Sequence, residues 1–122
     1  MVKIMVVDDE PDLRNMIDLM MQQEGYETEV AENGSEFLDK IDAFQPDIVT
    51  LDIMMPGLTT KDILDRLREK KNKARIILLT VVRFSDEEKE SLRKLGNVVD
   101  YITKPFEMDH LLAAVKNHLN GL

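Results

Sequence analysis

Ile48-Val49-Thr50-Leu51 is a short, almost wholly apolar run, preceded by Pro46-Asp47 and followed at once by Asp52. It is too short for a helix and shows no polar alternation. It therefore reads as a strand buried on both faces, the environment that a parallel sheet provides. Lys3–Val7 and Ile76–Leu79 have the same character. Two further candidates, Glu27–Ala31 and Val98–Ile102, mix polar with apolar residues, and Asp100 lies inside the second. Mixed strands suit the edges of a sheet, where one side is less covered.

Helical spacing fills the intervals. Leu13, Met16, Ile17 and Met20 recur at i, i+3, i+4 and i+7, with Pro11 suited to a first helical turn. Phe37, Leu38 and Ile41 mark a second helix opened by Asn33-Gly34-Ser35, and Ile63, Leu64 and Leu67 a third, with Thr60 as its expected cap. Ser85 and Glu88 form a capping box for a fourth helix, Ser85–Leu95, which has only Leu92 and Leu95 as clear anchors and is expected to be loosely held. Met108, Leu111, Leu112, Val115 and Leu119 give the last helix a long apolar stripe, ending before Asn120-Gly121-Leu122.

Strands alternating with helices predict an α/β fold, a (βα)5 doubly wound five-stranded parallel sheet of flavodoxin-like type. Placing the mixed strands outside gives the order 2-1-3-4-5, which right-handed crossovers permit. The 122 residues are read as one domain, 1–122, with no linker, repeat or output domain.

Composition narrows the function. Sixteen Lys and Arg against 24 Asp and Glu give a net charge of −8, which argues against gripping nucleic acid or an anionic membrane by bulk charge. Cysteine is absent, so disulfides, zinc–thiolate sites and thiol catalysis are excluded. No apolar run approaches the ~18 residues of a membrane span, and no signal peptide is visible, so the expected location is cytoplasmic. His110 and His118 are read as surface groups, and the eight methionines as core filler.

In open α/β sheets, ligands bind beyond the carboxyl ends of the strands, where the strand order reverses. Asp8 and Asp9 follow the first strand, Asp52 the third, Thr80 the fourth and Lys104 the fifth. In the order 2-1-3-4-5, Asp8, Asp9 and Asp52 should cluster beside a hydroxyl and an ammonium. Three carboxylates that close cannot all ionise cheaply, and an oxygen-rich site of this kind suits Mg²⁺. Asp52 would then be an ionised oxygen nucleophile, and Lys104 and Thr80 would contact a transferring phosphoryl group.

This constellation resembles the receiver domain of two-component response regulators along essentially the whole chain. The resemblance rests on Val7-Asp8-Asp9-Glu10, on Asp47 to Gly57, on Thr80, and on Asp100-Tyr101-Ile102-Thr103-Lys104-Pro105-Phe106. It implies that Asp52 accepts the phosphoryl group, that Asp9 ligates Mg²⁺ directly and Asp8 largely through water, and that Met54 lends its backbone carbonyl. It implies that Thr80 and Lys104 bind the phosphoryl group, that Thr80 and Tyr101 form the switch, and that the Lys104–Pro105 bond is cis. The implied donor is a histidine kinase or histidine phosphotransfer protein, and the implied output is an unknown downstream protein met by a monomer or a phosphorylation-promoted dimer. The protein would be no enzyme beyond its own phosphorylation and dephosphorylation.

Departures from the family pattern are Val81 where a small residue is common, Leu58-Thr59-Thr60, and a slightly long Thr80–Lys104 segment that includes Gly96-Asn97-Val98-Val99. A phosphatase with an aspartyl-phosphate intermediate is disfavoured. It would need a general acid two residues beyond Asp52, where Met54 stands. The receiver half of a transcription factor remains an alternative, although this chain shows no basic stripe of its own for DNA.

Overall fold

A computed structural model describes residues 1–53, 57–81, 84–94 and 97–120. Five strands and five helices alternate: β1 (Lys3–Val7), α1 (Pro11–Gln23), β2 (Glu27–Ala31), α2 (Gly34–Phe44), β3 (Ile48–Asp52), α3 (Thr60–Glu69), β4 (Arg75–Thr80), α4 (Asp86–Lys94), β5 (Val98–Thr103) and α5 (Met108–Leu119). The strands form one parallel sheet in the order β2-β1-β3-β4-β5, as expected. The fold is thus the doubly wound, flavodoxin-like α/β class. Among the described residues no helix is long and apolar enough to cross a membrane.

The period of two along each strand feeds two cores. Met5, Val7, Val49, Leu51, Ile76 and Leu78 meet Phe37, Ile41, Ile63, Leu64 and Leu67 on one face. Ile4, Val6, Ile48, Ile77 and Leu79 meet Ile17, Met21, Leu111 and Val115 on the other. At the amino ends of the strands, Asp47 pins three of them. Its carboxylate accepts the Lys3 N–H at 2.9 Å, its N–H donates to the Lys3 carbonyl at 2.8 Å, and its carbonyl accepts the Arg75 N–H at 3.1 Å.

Two expectations are corrected. Met16 is not a core anchor of α1: it is 55% exposed, and the inward row runs through Leu13, Ile17, Met20 and Met21. The first helical position fixes the phase, and in that phase the i+4 row from Leu13 passes Met16 by. The cap of α3 is Thr59 rather than Thr60, because Thr59 forms the reciprocal box with Asp62. Three residues beyond Thr60 stands Ile63, which has no oxygen to reach back.

The fourth helix starts as expected, with Ser85 Oγ accepting the Glu88 N–H and the Glu88 carboxylate accepting the Ser85 N–H, both at 3.1 Å. It contributes no fully buried residue, although Leu92 packs partly against the first core. Leu95, Gly121 and Leu122 lie outside the described residues. The strand after it carries a bulge: Val98 pairs with Ile76, yet Asp100, not Val99, pairs with Ile77. Asn97 holds the start, at a φ of +69°, with its side chain donating to the Asn72 and Ala74 carbonyls at 2.8 Å. The bulge takes up one residue of the long segment and re-aims the rest of the strand.

Among the described residues two buried side-chain oxygens have no hydrogen-bond partner, Asp18 Oδ1 and Thr50 Oγ1. Thr50 Oγ1, in the middle of β3, accepts and donates no hydrogen bond among the described residues. Burying a hydroxyl unpaired costs free energy that an apolar group of the same shape avoids. Thr50→Val should therefore raise the unfolding free energy by about 1 kcal/mol. Urea denaturation at fixed Mg²⁺ measures this, and a fall in stability would show that the hydroxyl is satisfied.

Candidate functional site

Every strand of a parallel sheet ends on the same side, so the carboxyl ends of β1, β3, β4 and β5 deliver their last residues to one rim. Asp52 and Thr80 are themselves the final residues of β3 and β4, and both are buried. Asp8 follows β1 and is fully buried. Asp9, next along, is exposed. Carboxylate oxygens of Asp8, Asp9 and Asp52 lie within 4.8 Å of one another.

Lys104 reaches this group from beyond β5. Its Nζ lies 3.2 Å from Asp52 Oδ2 and 3.5 Å from Asp8 Oδ2. Its own N–H donates to the Thr80 carbonyl at 2.7 Å, which ties the base of the side chain to the end of β4. The Lys104–Pro105 peptide is cis. Asp8 is fixed from the other side, since its Oδ1 accepts the Glu10 N–H at 2.9 Å and its carbonyl accepts from Arg14 at 3.0 Å. It thus helps open α1, where Glu10 offers no side-chain cap of its own, while keeping its second oxygen toward Lys104.

Burial pushes the Asp8 carboxyl above its ordinary range, and the neighbouring Asp52 charge pushes the same way. The Glu10 N–H and the Lys104 ammonium pull it down, without reversing the shift. The expected gathering of Asp8, Asp9, Asp52, Thr80 and Lys104 at one rim is therefore what the structure has. Met54 lies outside the described residues.

Tyr101 sits at the edge of the first core, toward α4. Its hydroxyl donates to the Lys89 carbonyl at 2.7 Å, the Phe84 ring meets it edge-on at 6.0 Å between centroids, and the Arg93 guanidinium lies 5.7 Å over its face. Burial pushes its phenol up. His110 is exposed as expected, but His118 is partly buried: Nε2 lies 3.0 Å from Asp100 Oδ2. Sequence reading missed this pair, since only the bulge in β5 turns Asp100 toward α5.

A doubly wound sheet with an acid trio and a lysine at its switch point defines a class of rim-site α/β proteins, and comparison narrows it. The chain belongs to the response regulator receiver domain family, whose model matches residues 4–116. It is 35% identical over 117 residues to Sporulation initiation phosphotransferase F of Bacillus subtilis, covering 96% of this chain and 93% of that protein. It is 34% identical over 119 residues to the transcriptional regulatory protein TrcR of Mycobacterium tuberculosis, covering 97% of this chain but 45% of TrcR. The chain thus spans about half the length of that regulator. Among solved structures, response regulator protein TrrA of Thermotoga maritima, in complex with Mg²⁺-BeF, superposes with a TM-score of 0.79 at 39% identity, covering 97% of this chain and 99% of that one.

Two outcomes follow. Because the Asp8 value is raised in the folded state, its favourable contribution is full below the ordinary 3.8 and is lost as pH climbs through the raised value. Without divalent cation, Asp8→Asn should therefore become more stable than the unaltered protein as pH rises through that window. Urea denaturation in chelator across pH 3–8 reads it, and equal stabilities throughout would contradict the burial argument. Tyr101→Phe should lose the bond to Lys89 at a cost of about 1 kcal/mol, and speed amide exchange in α4 while leaving β1 and β3 unchanged. Hydrogen exchange read by mass spectrometry separates the two regions.

Proposed function

We propose that residues 1–122 are a phosphoacceptor signalling module of a two-component phosphorelay, with Asp52 taking the phosphoryl group. The observation that carries this reading is the contact of Lys104 Nζ with Asp52 at 3.2 Å beside two further acids. The side chain that ends the central strand is buried, held by one cation, and next to a group that a second cation would complete.

The donor set suits Mg²⁺: three carboxylates, no thiolate or imidazole, and one of the acids buried with its carboxyl pushed toward the neutral form. Asp9, exposed at the mouth, and Asp52 would hold the ion directly, Asp8 largely through water, with the Met54 carbonyl as a further ligand. Bound there, Mg²⁺ would supply positive charge for the non-bridging phosphoryl oxygens. The TrrA structure in complex with Mg²⁺-BeF supports this choice.

The chain's own residues do the rest. Asp52 is oriented by Lys104, so that its carboxylate meets phosphorus without a search through rotamers. Lys104 then gains a phosphoryl oxygen as partner, and Thr80, at the end of the adjacent strand, offers its hydroxyl to another. Phosphorylation replaces one negative charge by about two, with added acceptor oxygens. That biases Thr80 and Tyr101, and with them the surface of α4, β5 and α5.

The donor in this reading is a histidine kinase or a histidine phosphotransfer protein, and the output is contact with a downstream protein. The domain acts in the cytoplasm, as a monomer or as a dimer promoted by phosphorylation, and without binding nucleic acid or membrane itself. Its only catalysis is of its own phosphorylation and dephosphorylation.

Incubation with acetyl phosphate should add one phosphoryl group in Mg²⁺ and essentially none in chelator, read by intact mass. Asp52→Asn should abolish the addition. Labelling that persists in Asp52→Asn would place the acceptor elsewhere and sink the reading.

A further inference from the structure

The chain carries a net charge of −8, yet its basic residues are not spread evenly. Six of the sixteen lie within residues 66–75, namely Arg66, Arg68, Lys70, Lys71, Lys73 and Arg75, with Glu69 the one acid among them. This stretch is the end of α3, the turn after it and the first residue of β4. All six except Arg75 are exposed. Lys70 meets Asp42 at 2.8 Å and Arg68 meets Asp65 at 3.9 Å. Among the described residues no carboxylate lies within ion-pair distance of Arg66, Lys71 or Lys73.

The turn has a fixed shape. The Lys71 N–H donates to the Arg68 carbonyl and the Asn72 N–H to the Leu67 carbonyl, both at 3.0 Å, the pairing that closes a helix through a left-handed residue. That residue is Lys71, at a φ of +55°. Glycine is the usual occupant, because an L side chain is crowded there. Beyond it, Asn72 Oδ1 accepts the Ala74 N–H at 2.9 Å, and the Asn97 side chain donates to the Asn72 and Ala74 carbonyls at 2.8 Å. Lys71 and Lys73 thus stand on a clamped backbone, and Lys71 does so against its own conformational preference. The dipole of α3 favours Arg66 and Arg68 in its last turn, but it fades beyond the helix and does not call for Lys73.

We propose that this turn is a docking surface for an acidic polypeptide segment of a partner protein, with Lys71 and Lys73 as its leading contacts. Charge decides the class of partner. Beside the turn, the outer face of α3 forms a hollow of about 660 Å³ lined among the described residues by Asp62, Asp65, Arg66, Glu69 and Lys70. Its three carboxylates repel the unbroken run of phosphates that a nucleic acid or an anionic bilayer presents. A polypeptide can set carboxylates on the lysines and neutral or basic residues over the acids. A compact positive region on an acidic molecule also steers, because it draws an acidic partner to one end while the remainder repels it. That end lies away from the acid rim. The six residues of β4 separate the two by ~17 Å at ~3.3 Å per step, well beyond the ~8 Å screening length at physiological salt. The surface therefore works whatever Asp52 carries, and it does not rest on the phosphoacceptor reading.

Fluorescence anisotropy of a labelled decaglutamate peptide tests this. The unaltered protein should bind the peptide at low salt and release it at high salt. The double variant Lys71→Gly/Lys73→Ala should bind about fivefold more weakly, the loss expected for two exposed charge contacts. Lys61→Ala/Lys94→Ala removes the same charge from the other end of α3 and from α4, and should leave binding within about twofold. Lys71→Gly alone should keep or raise the urea midpoint, since it relieves the left-handed backbone. A lowered midpoint would make Lys71 a structural residue and overturn its part in docking. Absence of binding at low salt, or an equal loss in the two double variants, overturns the surface. Tighter binding of duplex DNA or of phosphatidylserine vesicles than of decaglutamate overturns its assignment to an acidic polypeptide.

Discussion

The ammonium of Lys104 between Asp8 and Asp52 is the contact on which the rim depends. Topology gathers the acids whether or not their charges agree. Parallel strands end on one side, and the order β2-β1-β3 puts the ends of β1 and β3 next to each other. One lysine cannot balance three carboxylates. The structure relieves the excess in two ways: Asp9 stays in solvent, and the Asp8 carboxyl is pushed toward its neutral form. The second relief is conditional, because a divalent cation would take the place of the proton. A rim that is poorly compensated alone has the charge and the oxygen donors that suit a divalent cation.

The sheet divides into a fixed centre and a looser flank. β1, β3 and β4 are covered on both faces, and Asp47 locks their amino ends together. At the far edge, α4 buries nothing completely and leans on Leu92 and on the Tyr101 bond to Lys89. The bulge in β5 makes that bond possible. Val99 packs with the α1–α5 core, and Asp100 next to it meets His118 of α5, so the two neighbours share a face. The alternation then resumes with Tyr101 toward α4 and Ile102 toward α5. Without the extra residue, Tyr101 would point to the opposite core.

Most of the architecture was legible because it follows from one-dimensional patterns. Unbroken apolar runs separated central strands from the mixed edges Glu27–Ala31 and Val98–Ile102, and the rule that ligands meet carboxyl ends located the acids. What was illegible depends on phase or on distance. Met16 and Met21 are equally apolar, and only the packed orientation of α1 exposes the first and buries the second. Thr59 and Thr60 are chemically alike, although the partner at Asp62 distinguishes them and was there to be read. The Asp100–His118 pair and the Tyr101–Lys89 bond join residues whose meeting requires a bulge that no local propensity announces.

The weakness of α4 sets the energy that a switch at the rim must supply. The register pairs Thr80 with Thr103 and Leu78 with Tyr101, so Thr80 and the residue before Lys104 lie on the same two strands as the α4 tether. Among the described residues, α4 is held there by one neutral hydrogen bond, worth ~1 kcal/mol, by the partial packing of Leu92 and by the ring contacts of Phe84 and Arg93. Charge-assisted bonds from Lys104 and Thr80 to a doubly charged phosphoryl group are worth ~1.5–3 kcal/mol each. On the phosphoacceptor reading, the gain at the rim is of the same order as the hold on the flank. A buried, well-anchored fourth helix would raise the hold above the gain, and modification of Asp52 would then leave the outer surface as it was.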